Sequence, residues 1–203
     1  SGLGKYDTIE HFGVGEALSY DDDVLRMIIE QEVAIVPTIV FFDSSMEMGI
    51  DREATDVAEW RNLPDDLYQE IRSSIREAEV TSPELLGRES DEMRTGRYAK
   101  VRQAYEAGVT IGVGTDSGTS ANPHHSAIWR EMALLQDKAG MSSTDVIQAA
   151  TRTNAEIIGL IDEIGTIEVG KLADVIVVDG NPLRDVAEIR TIEHVIKDGV
   201  LIR

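Results

Sequence analysis

Two side chains stand where parallel α/β proteins place their chemistry. His11 closes the β-prone run Tyr6-Asp7-Thr8-Ile9-Glu10, and Asp116 closes Gly108-Val109-Thr110-Ile111-Gly112-Val113-Gly114-Thr115. Ligands in such folds bind at the carboxyl ends of the strands. Taken singly, each residue has a plainer reading: a lone His after a strand is more often structural, and an Asp between Thr and Gly-rich sequence is more often a turn former. Both at equivalent ends of one βα series are harder to set aside. A neutral imidazole and a carboxylate converging on one point suit a hydrolytic Zn²⁺ or similar ion, which lowers the pKa of bound water towards about 7. The chain has no cysteine, so thiolate metal sites and disulfides are excluded, and any metal must be held by His and carboxylate.

These residues need a scaffold, and hydrophobic patterning supplies one. Ser19 to Gln31 reads as a helix, with Asp21, Asp22 and Asp23 at the positive end of its dipole and Val24, Leu25, Ile28 and Ile29 as its apolar stripe. Val33 to Val40 is a near-continuous apolar run, as expected of a strand buried on both faces, and Pro37-Thr38 marks its functional end. Residues 41–107 read as mostly helical and polar, with the carboxylates from Asp43 to Asp91 on exposed faces. Gly87 and Gly96 flank a charged stretch that could form part of a lid. Helix signals resume at 125–139, Ser142 and Asp145 form a capping pair, and Gly159 closes the following helix. Alternating β and α elements imply a parallel sheet or barrel. After residue 161 the pattern changes to short strands at 165–167, 173–178 and 192–196, and Asp198-Gly199 is a hairpin turn into Val200-Leu201-Ile202.

Composition narrows the partners. Thirty-eight acidic against 19 basic residues give a formal charge of −19, while 42% hydrophobic content is ordinary for a folded protein. Such a chain repels nucleic acid backbones and anionic lipid, so neither is expected as a partner. No apolar run approaches the roughly 20 residues that span a bilayer. Without a signal peptide pattern or an N-x-Ser/Thr sequon the sequence reads as cytoplasmic, and Ser1-Gly2 in place of an initial Met reads as a processed or cut start. Excess acid with few lysines suggests a halophilic, high-salt setting.

The run Asp7-Thr8-Ile9-Glu10-His11, the strand Val36-Pro37-Thr38, and Gly112-Val113-Gly114-Thr115-Asp116-Ser117-Gly118 resemble the sixth, seventh and eighth strands of the amidohydrolase superfamily. The tail resembles it further: Ala149-Ala150-Thr151-Arg152-Thr153-Asn154-Ala155, Gly159-Leu160, Gly165-Thr166-Ile167-Glu168-Val169-Gly170-Lys171-Leu172-Ala173-Asp174, Asn181-Pro182-Leu183 and Val195-Ile196-Lys197-Asp198-Gly199. The flavour is that of the imidazolonepropionase and Xaa-Pro or Xaa-Arg dipeptidase-like branch. The resemblance implies the C-terminal part of a (β/α)₈ TIM barrel, its last three strands, followed by a small all-β composite domain. The expected boundaries are 1–160 for the partial barrel, with a helical insertion at about 43–107, and 161–203 for a β-sandwich-like appendage.

The resemblance also implies roles. His11 becomes a metal ligand, and Asp116 both contacts the metal and takes the proton from the attacking water. His124 and His125 either line the substrate pocket or are simply two residues of a Pro-containing loop before a helix. The expected cofactor is a divalent metal, Zn²⁺ first among candidates, one or two ions in the parent enzyme. The reaction implied is hydrolysis of an amide C–N bond in a small substrate such as a dipeptide, an N-acyl amino acid or a cyclic amide.

Departures from the family pattern matter as much. The family's His-x-His pair on the first strand, its frequent modified Lys on the fourth and its His on the fifth have no counterpart, and Lys5 is not that Lys. A full barrel takes about 250 residues. The chain is therefore expected to need a missing N-terminal half of the barrel as partner, alone or within a homo-oligomer. The alternative expectation is a non-catalytic fragment or assembly unit, because half a barrel exposes strand edges that template association.

Overall fold

The computed structural model describes residues 7–11, 19–43, 64–69, 72–73, 91–118, 122 and 124–203. Strand β1 (Thr8–Glu10) pairs in parallel with β2 (Ala34–Val36), with Thr8 opposite Ala34, Ile9 opposite Ile35 and Glu10 opposite Val36. The connection between them contains α1 (Asp22–Glu30), which starts where Asp21 Oδ1 accepts from the Asp23 amide at 2.8 Å. On its other side β2 meets an extended segment around Ile111: the Ile35 amide donates to Thr110 O and the Gly112 amide to Ile35 O, both at 2.9 Å. β2 is thus the middle of three parallel segments, and its residues are buried throughout, which is why its sequence carries no polar alternation.

The β reading of 33–40 overran. Thr38 turns the chain with φ of 52°, and residues 39–43 form a short helix, α2. An apolar run cannot by itself distinguish buried strand from buried helix. What decides here is a carboxylate from elsewhere, since Glu131 Oε2 accepts from the Val40 amide at 2.7 Å and satisfies a donor that a continuing strand would have paired in the sheet.

Helix α3 (Asp91–Glu106) packs Val101 and Ala104 into the core, and Gln103 clamps the backbone of Tyr20, accepting from its amide at 2.7 Å and donating to its carbonyl at 3.1 Å. Gly96 is buried inside this helix, whereas Gly87 lies outside the described residues, as does most of the stretch read as an insertion. Helix α4 (His124–Asp137) contributes Met132 and Leu135 to the same core, which joins Leu25 and Ile28 of α1 to Ile35, Ile111 and Val113. Helix α5 (Ser143–Gln148) begins at the expected cap, the Asp145 amide donating to Ser142 Oγ at 3.1 Å. It runs through a π-helical turn (Ala149–Thr153) into α6 (Asn154–Ile157), and Gly159 follows in a left-handed conformation that suits glycine.

Beyond α6, residues 165–167 are bent, irregular chain rather than strand. Lys171 explains this, because its ammonium donates to Ile161 O and to Thr166 Oγ1, gathering the segment into a compact loop. A separate antiparallel sheet then forms from β3 (Val175–Val178), β4 (Ile192–Lys197) and β5 (Val200–Leu201) in that order. Asp198 and Gly199 both have positive φ, 51° and 76°, as the expected two-residue hairpin requires. The described residues show this one three-stranded layer in the tail region. No described helix is long and apolar enough to cross a membrane.

Candidate active site at three strand ends

Non-glycine residues with left-handed backbone are uncommon, yet one occurs at the end of each of the three parallel segments. His11 has φ of 64°, Thr38 of 52° and Asp116 of 50°. Each such residue costs about 1–3 kcal/mol and persists where surrounding contacts over-determine it. The contacts are visible. The His11 amide donates to Val36 O at 2.8 Å, which ties the end of β1 to the end of β2. His11 Nδ1 lies 2.6 Å from Thr38 Oγ1, so the imidazole is anchored through one ring nitrogen.

That anchor sets what the other nitrogen can do. If Nδ1 carries the proton and donates to Thr38 Oγ1, Nε2 presents a lone pair; this is the tautomer a metal or an acid proton can use. Thr38 stands on the middle segment between His11 and Asp116.

The Asp116 end is held from the other side. Asn154 accepts from the Val113 amide at 3.0 Å and donates to Val113 O at 2.8 Å, so its carboxamide pairs with the segment as a neighbouring strand would. This approach needs Gly112: a Cβ there would lie 2.8 Å from Asn154 Oδ1 and 2.9 Å from Ile157 Cδ1. Gly114 likewise lets Val36 close in, since a Cβ would meet Val36 Cγ1 at 2.5 Å. The Gly-x-Gly spacing therefore serves close packing of the segment. Asp116 itself is exposed, as a residue that must reach substrate or solvent would be.

Past Asp116 the loop closes on itself. Thr115 Oγ1 donates to Ser117 Oγ at 2.9 Å, Ser117 Oγ lies 3.0 Å from His124 Nδ1, and the Gly118 amide donates to Asn122 O at 3.1 Å. The Asn122 carboxamide, fully buried, donates to Thr115 O. His124 is thereby brought beside the loop that carries Asp116, whereas the side chain of His125 lies outside the described residues.

Two carboxyls escaped the sequence reading. Asp43, read as an exposed insertion residue, is buried and accepts from Tyr98 Oη. Glu131 on α4 is fully buried beneath α2. Burial pushes its pKa up to about 8, assisted by the negative charge of Asp43, while the amides of Val40, Ile39 and Thr38 pull the other way. A signal for Glu131 exists in the sequence: Ala127, Glu131 and Leu135 recur at i, i+4 and i+8, placing Glu131 on the buried stripe of α4.

A divalent ion would find two suitable donor types here, His11 Nε2 and the Asp116 carboxylate. Among the described residues no group of three His, Cys, Asp or Glu side chains comes together. Protein metal sites that work on water use about three protein ligands, so the described residues offer part of a donor set.

The sequence profile of the Amidohydrolase family matches residues 8–202, and the chain belongs to that family. It is 36% identical over 80 residues to a 5'-deoxyadenosine deaminase of Methanobrevibacter smithii, covering 36% of this chain and 18% of that protein. It is 35% identical over 80 residues to an imidazolonepropionase of Symbiobacterium thermophilum, covering 39% of this chain and 19% of that protein. A crystal structure of a Xaa-Pro dipeptidase with methionine in its active site superposes over 98% of this chain and 40% of its own, with a TM-score of 0.67 and 28% identity. A prolidase structure from Bifidobacterium longum covers 97% of this chain and 42% of its own, with a TM-score of 0.67 and 31% identity. The chain thus spans about a fifth of the curated relatives it matches and about two fifths of these solved structures.

Proposed function

We propose that the chain carries one side of the active site of a metal-dependent hydrolase that cleaves a C–N bond in a small substrate, with dipeptides ending in proline as the leading substrate class. The observation that carries this reading is the His11–Thr38 pair and Asp116 on three neighbouring strand ends, all held in strained backbone. The dipeptide preference is supported by the fold comparison. The Xaa-Pro dipeptidase and the prolidase superpose with a TM-score of 0.67 at 28% and 31% identity, whereas an adenosine deaminase from Xanthomonas campestris, which also follows 97% of the chain, does so with a TM-score of 0.53 at 17% identity.

In this reading the three parallel segments are the last three of a (β/α)₈ barrel, residues 1–160 are barrel and residues 161–203 form the β appendage. The described residues bring no third ligand to this group, so the rest of the donor set lies outside them. A divalent ion, Zn²⁺ first among candidates, supplies Lewis acidity towards the scissile carbonyl and acidity to a water molecule. His11 offers Nε2 to that ion, its ring fixed by Thr38. Asp116 is the general base: it accepts a proton from the attacking water and returns it to the leaving nitrogen, so that the amine departs neutral. His124, with Nδ1 engaged by Ser117, and His125 are the candidates for contacts with substrate.

The test is a substrate panel on the natural polypeptide that carries this chain. Xaa-Pro dipeptides, N-acyl amino acids, imidazolonepropionate and adenosine-type nucleosides are assayed with metal content measured in parallel. Hydrolysis of the dipeptides at least tenfold faster than the others, with stoichiometric metal that His11→Ala removes, is the expected result. Deamination of nucleosides with dipeptides untouched overturns the substrate class, and full metal content in His11→Ala overturns the ligand role.

A further inference from the structure

We propose that Glu131 is a positioning residue for the strand-end site, fixing Thr38 in the left-handed turn from which its hydroxyl orients the His11 imidazole. This rests on the reading of His11 as a site residue. The path is short and made of direct contacts. Glu131 Oε2 accepts from the Val40 amide at 2.7 Å, the Phe41 amide donates to Thr38 O at 3.2 Å, and Thr38 Oγ1 lies 2.6 Å from His11 Nδ1.

Three features argue for more than a helix cap. Exposed Ser, Asp or Asn caps satisfy amides cheaply, yet here the acceptor is a fully buried Glu reaching from another helix, 91 residues away in sequence. Its second oxygen, Oε1, is buried without a hydrogen-bond partner, a cost that stability alone gives no reason to retain. The turn it secures places a β-branched residue, Thr38, at φ of 52°, where the side chain is sterically strained. Thr38 is 3% exposed and Val40 is fully buried, so water cannot replace Glu131 as acceptor for the Val40 amide. Strain at Thr38 is retained because relaxing it would move the hydroxyl away from His11.

The consequence is specific to one tautomer. In the proposed arrangement Thr38 Oγ1 accepts from His11 Nδ1–H and Nε2 is left free; released, an imidazole favours the proton on Nε2, and the nitrogen that should face the ligand is blocked.

Long-range ¹H–¹⁵N NMR of the ring nitrogens in the natural polypeptide that carries this chain, freed of metal, reads this directly. Wild type and Glu131→Gln, whose amide oxygen still accepts from Val40, are expected to show a protonated His11 Nδ1. Glu131→Met, of similar length but with no acceptor, is expected to lose that signature; if it does not fold, Glu131→Asp, one methylene too short, is read the same way. Val146→Ala, a core truncation elsewhere, is the control that lowers stability and leaves His11 unchanged. A folded Glu131→Met or Glu131→Asp with the wild-type His11 pattern overturns the proposal, and so does loss of the pattern in Glu131→Gln. The measurement needs neither metal nor substrate, so its failure is distinct from failure of the hydrolase reading.

Discussion

At the scale of single residues, Glu131 makes the sharpest physical prediction. Its carboxyl holds a proton up to about pH 8 in the fold, while an unfolded Glu releases it near 4.3. Between those values the folded state binds more protons than the unfolded one, so stability falls as pH rises, by up to about 1.4 kcal/mol per pH unit from this group. Glu131→Gln mimics the protonated form and removes that slope. Urea unfolding of both proteins between pH 5 and 8 should show the gap closing in favour of the variant as pH rises. Parallel curves would mean that Glu131 is ionised in the fold. The same residue shows what a sequence conceals. The places of His11 and Asp116 at strand ends follow from the β-prone runs before them, but Glu131 is one of 38 acidic residues, and apart from its i, i+4, i+8 spacing with Ala127 and Leu135 nothing local marks it as buried beneath α2. Asp43 was hidden for the same reason, since nothing local says that Tyr98 will cover it.

At the scale of elements, the fold shows how separate pieces are tied to the strand ends. The π-helical turn at Ala149–Thr153 precedes Asn154, whose carboxamide replaces a missing strand partner at Val113. Asn154→Ala leaves two strand-like backbone groups of Val113 without that partner and is expected to cost about 1–3 kcal/mol, read as a lowered urea midpoint with unchanged m-value. A loss below a few tenths of a kcal/mol would show that water serves the segment equally well. Elements with strong local rules were readable in advance: α1 from its acidic first turn and apolar stripe, although it starts at Asp22 rather than Ser19, the Ser142 cap, the Asp198-Gly199 hairpin. Elements decided by distant contacts were not. Past Val36 the chain turns at Thr38 into α2, whose Val40 amide is taken by Glu131, and residues 165–167 coil around the Lys171 ammonium instead of extending. Hydrophobic period carries no information about either partner.

At the scale of the whole molecule, the acidic surface and the coverage by relatives set the context for the site. A charge of −19 on 203 residues is self-repelling, and the Debye length falls from about 10 Å at 0.1 M salt to about 3 Å at 1 M. Melting temperature is therefore expected to rise from dilute buffer to molar KCl, and equal values at both would contradict a surface dominated by repulsion. The candidate site lies at one end of three parallel segments, and the chain spans two fifths of its dipeptidase neighbour. The central claim is that His11 and Asp116 work together on one substrate. Turnover of the natural polypeptide with Xaa-Pro dipeptides, compared among wild type, His11→Ala, Asp116→Asn and the double variant, tests it most directly. Each single change is expected to lower kcat/KM by about 10²–10⁴-fold, and the double variant to be little worse than the poorer single, as for groups that act as a unit. Either single variant within a few fold of wild type, or losses that simply multiply, would contradict a shared site.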